Sequence, residues 1–371
     1  ENLKRFNGKF LAQNVALTDE AAFAADTGEA ALFKPYLIKQ AGQARVAVIG
    51  QAYPYTPIAN PQRFVRGWQF GIEEQRLQAL VDKIRMTEQA DVVILLSHNG
   101  MDVDLKLASR VTGIDLILGG HTHDAIPEPM PIANAKGRTW VTNAGSHGKF
   151  LAVFDLKLAK GRLQDMRYRL LPVFADLLEP DPEMQSLIDH LRAPYLKDLQ
   201  PPLAETSELL YRRDNFYGTF DGLILDALLA EYDADIALTP GFRWGTVVLP
   251  EQTITMEDVM NQTAITYPET YVGSMSGAQL KYVLEDVADN LFNPDPYYRQ
   301  GGDMVRTGGM RFDCDPGARF GKRISAMRLC NGKPVEAGKQ YKVSGWATVS
   351  APASGRPIFE IVSEYLKNGG A

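Results

Sequence analysis

Three of the chain's five histidines, His98, His121 and His123, fall within two short stretches. The first stretch starts at Val92 and reads Val-Val-Ile-Leu-Leu-Ser-His-Asn-Gly. The second starts at Ile114 and reads Ile-Asp-Leu-Ile-Leu-Gly-Gly-His-Thr-His-Asp. Imidazole is the commonest side-chain metal ligand and is neutral at the pH where such sites work. In an extended loop, His-Thr-His puts residues i and i+2 on one side. Three unrelated histidines held by hydrogen bonds would be the bland alternative. Their concentration at two places of the same grammar points to metal binding.

Those places need elements to present them. Each stretch is an apolar run that reads as a buried strand, followed by a Gly/His loop. In an open parallel sheet, ligands sit outside the carboxyl ends of strands, so two adjacent strand ends would bring three imidazoles to one rim. Residues 73–90 read as a helix, with Leu77, Leu80, Val81 and Ile84 at helical spacing, and Val103–Val111 as a shorter one. With strands at Val46–Gly50 and Thr139–Thr142, the order is that of a parallel α/β layer. His147, after the last of these strands, is a candidate rim residue. A strand at Lys9–Val15 opens the chain, and Lys149–Leu158 with residues 160–172 closes the domain as a meander.

Asp181-Pro182 precedes a helix expected from Glu183 to Leu199, which Pro201-Pro202 stops. Beyond it lie helices at Thr219–Tyr232, after Thr255 and at Gly277–Leu291, the last with Ser276 as its cap. Strands follow near Ile324–Leu329 and Gln340–Gly345, and a helix near Pro357–Lys367. Two arginines draw notice. Arg243 is expected on the loop Thr239–Gly245, and Arg306 inside the Gly-rich run 301–309. A guanidinium fork grips a carboxylate, phosphate or sulfonate through two hydrogen bonds. Phe242, Trp244, Tyr297 and Tyr298 could wall the same cleft. Surface arginines in ordinary turns are the competing reading, and the residues alone leave the two even.

At 371 residues the chain can bury two cores, and its 45% apolar and 23% charged content is that of a globular protein. A net charge of −6 excludes a protein built to grip nucleic-acid phosphates. No run approaches the ~18 apolar residues of a membrane helix. Cys314 and Cys330 could form one disulfide in an oxidising compartment or remain two thiols.

Ser97-His98-Asn99-Gly100 and Gly119-Gly120-His121-Thr122-His123 resemble the last two metal motifs of the calcineurin-like metallophosphoesterases, in their 5′-nucleotidase branch. That resemblance implies a dinuclear centre, with His98 and His121 on one ion and His123 on the other. His147 matches no ligand of the family. The family's Asp-x-His, Gly-Asp and Gly-Asn-His motifs would precede Glu1, which marks the chain as an expected N-terminal truncation whose catalytic residues lie outside it. The fold implied is an α/β metallophosphoesterase-like layered domain without its first strands (1–178), a linker helix (179–201) and an α+β 5′-nucleotidase C-terminal-type domain (202–371).

The runs Gly-Phe-Arg-Trp-Gly from Gly241, Asn-Pro-Asp-Pro-Tyr-Tyr from Asn293, Gly-Gly-Asp-Met-Val-Arg from Gly301 and Arg-Arg-Asp-Asn-Phe-Tyr-Gly from Arg212 are similar to the SoxB thiosulfohydrolases of that superfamily. This likeness implies a periplasmic hydrolase with two Mn(2+) ions, Zn(2+) being a possible substitute. It also implies a SoxYZ-type carrier protein as partner, sulfate being released from its cysteine S-thiosulfonate by metal-hydroxide attack. Arg243 and Arg306 would orient the sulfonate or carrier peptide, Asp303 would pin Arg306, and Tyr297 with Tyr298 would wall the slot. Arg306→Ala is then expected to weaken processing far more than folding. A periplasmic 5′-nucleotidase, and a catalytically incomplete fragment that only binds the carrier, are the rival readings.

Overall fold

The apolar runs before the Gly/His loops are strands in the structure, a computed structural model that describes residues 2–24, 33–242, 246–263, 265–349 and 353–370. Unit 1 holds Glu1–Glu179 together with Asp295–Gly301, and unit 2 holds Pro180–Pro294 and Gly302–Ala371. The chain thus divides between Glu179 and Pro180, and the helix expected as the linker groups with unit 2. A short segment from late in the chain belongs to unit 1, an excursion that no composition shift marks.

Unit 1 is built on strands β1 (Tyr36–Ala41), β2 (Ala44–Gln51), β3 (Val92–Ser97), β4 (Leu116–Gly119), β5 (Met130–Asn134) and β6 (Gly137–Asn143). They form one sheet in the order β1-β2-β3-β4-β6-β5. The four inner strands run parallel and the two edge strands antiparallel. Parallel neighbours need long crossovers. Helix α1 (Glu74–Met86) supplies the one between β2 and β3, and α2 (Met101–Arg110) the one between β3 and β4. Leu77, Val81 and Ile84 of α1 recur at helical spacing and are buried against Ile49, Leu95 and Ile117 of the sheet. Strands β7 (Phe150–Ala159) and β8 (Arg162–Pro172) pair as a separate antiparallel hairpin.

The strand expected at Lys9–Val15 is shorter and later. Only Val15–Leu17 is extended in a ladder, paired with Trp68–Phe70. The preceding residues are irregular because their polar side chains turn inward: Asn14 Nδ2 donates to the carbonyls of Ala52 and Gly71.

In unit 2, the helix expected to run to Leu199 is interrupted: helix α3 spans Pro182–Arg192 and a separate helical turn spans Leu196–Leu199. Pro194 offers no N–H for a continuing ladder. Helix α4 (Thr219–Tyr232), strand β9 (Ile236–Gly241), strand β10 (Thr270–Ser276) and helix α5 (Gly277–Phe292) follow. Next come β11 (Asp303–Gly308), β12 (Met310–Cys314), β13 (Ile324–Leu329), β14 (Gln340–Trp346) and helix α6 (Ile358–Lys367). The main sheet has the order β10-β14-β9-β11, with β9 and β14 parallel. Period-two alternation serves both faces. Ala237 faces Phe220, Ile224, Ile361 and Val362, while Ile236 and Leu238 face Leu280, Leu284 and Met304.

The Gly-rich run expected as a loop is strand β11. Its residues pair with β9, Thr239 opposite Arg306 and Leu238 opposite Thr307. Cys314 and Cys330 are both free. Cys314 pairs with Ile324 at one end of the β12–β13 hairpin, and Cys330 follows Leu329 at the other. About four residues of strand at ~3.3 Å each is twice the Cα reach of a disulfide.

Candidate functional site

Strands β3 and β4 pair in parallel, Ile94 opposite Leu116 and Leu96 opposite Leu118. Their carboxyl ends therefore stop side by side, and the loops beyond them emerge at one edge of the sheet. His98 and His121 meet there, with ring centroids 5.4 Å apart. His98 is further tied to β2 by its amide, which donates to Gln51 O at 3.0 Å. Burial first, and then the neighbouring His123 charge, push the His98 pKa below the usual imidazole range, which favours the neutral form that a metal needs. The His123 ring lies 5.7 Å from that of His147, at 82°. His121, His123 and His147 all hold positive φ, of 73°, 59° and 58°. Bulky side chains rarely take that conformation, and such strain clusters at functional sites.

A buried polar chain underlies the rim. Gln13 donates to Gln51 at 2.5 Å, Gln51 to Asn99 at 3.0 Å, and Asn99 to Asp104 Oδ1 at 3.0 Å. Ser97 Oγ donates to the same Asp104 oxygen at 2.7 Å. Ser97 and Asn99 flank His98, so a single carboxylate on α2 holds both shoulders of that loop. Asp104 is 0% exposed, and its Oδ2 lies without a partner. Burial outweighs those two hydrogen bonds and pushes the Asp104 pKa up to about 7. Gly119 closes β4 because a Cβ there would strike the Asn143 side-chain amide and the Asp104 carboxylate.

Tyr53, in the loop after β2, stacks on His121 at 4.1 Å and meets His98 edge-on at 6.3 Å. Burial holds its phenol well above the ordinary tyrosine range, so it stays a hydrogen-bond donor. That hydroxyl donates to Gln300 O at 2.5 Å, and His121 Nε2 lies 3.0 Å from the same oxygen.

The imidazoles suit a divalent ion in chemistry, as nitrogen donors on loops at one edge of the sheet. Among the described residues, however, no group of three or more His, Cys, Asp or Glu is arranged to hold a metal. His98 and His121 are brought together, as are His123 and His147. His98 and His121, expected on one ion, are thus neighbours, and His123, expected on the other, lies beside His147.

The substrate residues fare differently. Arg243 lies outside the described residues. Arg306, read from the sequence as an anion grip, is 1% exposed and fully engaged. Its Nε donates to Asp221 at 3.1 Å, Nη1 to the carbonyls of Met304 and Asn215 at 2.8 and 3.0 Å, and Nη2 to Asp214 O at 2.5 Å. Asp303 pairs with it at 3.3 Å, and Arg212 grips the other oxygen of Asp221 at 2.7 Å. Arg306 is thus part of a sealed Arg–Asp–Arg core and has no donor to offer a ligand. Tyr297 is anchored, its hydroxyl donating to Glu74 at 2.7 Å with Lys106 3.9 Å over its ring, and it lines a cavity with those two residues and Arg110. Tyr298 is 65% exposed.

Tyr53, Gln300 and Asp104 were missed from the sequence. Asp104 carried a signal, as an acid in the stripe of α2 that also buries Leu107 and Ala108. Nothing in the sequence joins Gln300 to His121, which lie 179 residues apart.

Residues 206–361 match the family described as 5′-nucleotidase, C-terminal domain. The solved sulfate thiohydrolase SoxB of Thermus thermophilus, in complex with glycerol, superposes with a TM-score of 0.90 at 39% identity, over 99% of this chain and 67% of that one. A 5′-nucleotidase precursor from the same organism matches with a TM-score of 0.82 at 22% identity, over 99% of this chain and 76% of that chain, a likeness of fold. The trifunctional nucleotide phosphoesterase YfkN of Bacillus subtilis is 28% identical over 91% of this chain. The chain spans 23% of YfkN. Two parallel strand ends with histidine loops, a matching C-terminal domain and an end-to-end structural relative at 39% identity agree: the chain belongs to the 5′-nucleotidase family.

Proposed function

We propose that this chain is the histidine-bearing part of a metal-dependent hydrolase of sulfur oxidation, which releases sulfate from a cysteine S-thiosulfonate on a SoxYZ-type carrier. The observation that carries this reading is the 39% identity to a sulfate thiohydrolase along 99% of the chain. His98 and His121 would hold one divalent ion and His123 the other, manganese or zinc. Two bound ions supply Lewis acidity toward anionic oxygens and lower the pKa of water. The chain's own contribution is positional. Asp104 holds the His98 loop through Ser97 and Asn99, and Tyr53 covers His121 with an aromatic face that excludes water. Arg243 is the guanidinium proposed to grip the sulfonate, with Tyr298 available to the carrier peptide. Periplasmic placement goes with this reading. Among the described residues no helix is long and apolar enough to cross a membrane.

Nucleotide phosphoester hydrolysis is the second reading, favoured by the 28% identity to YfkN and the matched C-terminal domain. Assaying the whole protein with Mn(2+) separates them. Sulfate release from the carrier conjugate, with little phosphate from AMP, is expected. Brisk AMP hydrolysis with an untouched conjugate would replace the first reading by the second.

A further inference from the structure

The segment Asp295–Gly301 is held onto unit 1 at every other residue. Asp295 accepts from Lys106 at 2.6 Å, Tyr297 donates to Glu74 at 2.7 Å, and Arg299 donates to Asp102 at 2.9 Å. Tyr55 adds a hydrogen bond to the Tyr297 carbonyl. These anchors fix the position of the next carbonyl, Gln300 O, which takes the Tyr53 hydroxyl and faces His121 Nε2. Two lone pairs thus meet two partners.

A carbonyl oxygen only accepts, so the nitrogen 3.0 Å from it must carry the proton. We propose that the anchored Gln300 carbonyl locks His121 in its Nε2–H tautomer, so that Nδ1 is the nitrogen His121 presents to a metal ion. A metal-ligating histidine is normally oriented by such a bond from its other nitrogen, and losing it lowers metal affinity ~10–100-fold. The Tyr53 ring stacked at 4.1 Å restrains the imidazole from its face, while the carbonyl restrains it from its edge. Gly301, at φ +79°, completes the arrangement. A Cβ there would come within 2.6 Å of His121 Nε2, so only glycine lets the chain pass so near. The segment is therefore a positioning strap for a candidate ligand. The metal part of this inference rests on the hydrolase reading above; the tautomer does not.

Long-range proton–nitrogen NMR of the metal-free chain reads the tautomer directly, and Mn(2+) titration followed by EPR reads affinity. The wild type is expected to show His121 protonated at Nε2. Gly301→Ala should mix the tautomers and weaken Mn(2+) binding ~10-fold or more. Tyr53→Phe, which keeps the stacked ring, should give a smaller change in the same direction. An Nδ1–H signal in the wild type would overturn the inference while leaving the hydrolase reading intact. So would a Gly301→Ala protein with unchanged tautomer and affinity. An Nε2–H tautomer with Mn(2+) binding indifferent to His121→Ala would uphold the lock and sink the metal role instead.

Discussion

Asp104 shows how a single buried group shapes both the site and its stability. Its folded pKa of about 7 stands above the ordinary carboxylate value of 3.8. Between those two values the folded state holds a proton that the unfolded chain has lost. Stability of the metal-free protein therefore falls as pH rises through that window and stays low above it, a cost on the order of 4 kcal/mol. Asp104→Asn removes the charge and places a donor where the unpartnered Oδ2 lies. Thermal melts across about pH 4–8 should show the variant gaining on the wild type up to neutrality. Parallel curves would contradict this. Arg306 carries the opposite lesson. Arg306→Ala would take one of its two arginines from Asp221 and the Arg306 pairing from Asp303, in a core where all these side chains are 0% exposed, costing about 3–5 kcal/mol. Denaturant unfolding of unit 2 is the measurement. The loss expected is of folding, where the sequence alone suggested a loss of substrate handling. The histidines were legible because their type and clustering are unusual. Arg306 was misread because an arginine among glycines looks the same in a ligand loop and in an edge strand.

At the level of elements, local chemistry spoke most clearly where one helix decides its own ends. Ser276 and Gln279 form a reciprocal capping box at the start of α5. Ser276→Ala is expected to lower stability by about 1 kcal/mol, read as a drop in unit 2 melting temperature, with no change in the His121 NMR signals. Helices α1 and α4 were equally legible, since their apolar positions recur at 3.6-residue spacing or fill the whole cylinder. Strands β3 and β4 were found because their runs are continuously apolar, although on β3 Val93 and Leu95 are buried in the core while Leu96 is 54% exposed. β11 was not, because Gly301, Gly302, Gly308 and Gly309 surround it with turn chemistry. Its extended form comes from pairing with β9. Likewise Lys9–Asn14 alternates enough to suggest a strand, but Asn14 is drawn inward to the carbonyls of Ala52 and Gly71.

For the whole molecule, the described residues supply imidazole pairs and no set of three ligating groups. Mn(2+) titration of the 371-residue chain should therefore find fewer than two bound ions, held weakly, with His98→Ala or His121→Ala removing the signal. Two tight ions would mean that the donor set is larger than these loops. The sequence by itself determined the parallel α/β layer and the histidine loops at its strand ends. Those features follow from hydrophobic period, glycine placement and residue type, which act over a few turns of chain. Tertiary structure alone decided that Arg306 is sealed against Asp221, and that Gln300 caps His121 from 179 residues away. Both depend on which polar group finds a partner once water is excluded, and no local pattern encodes that pairing.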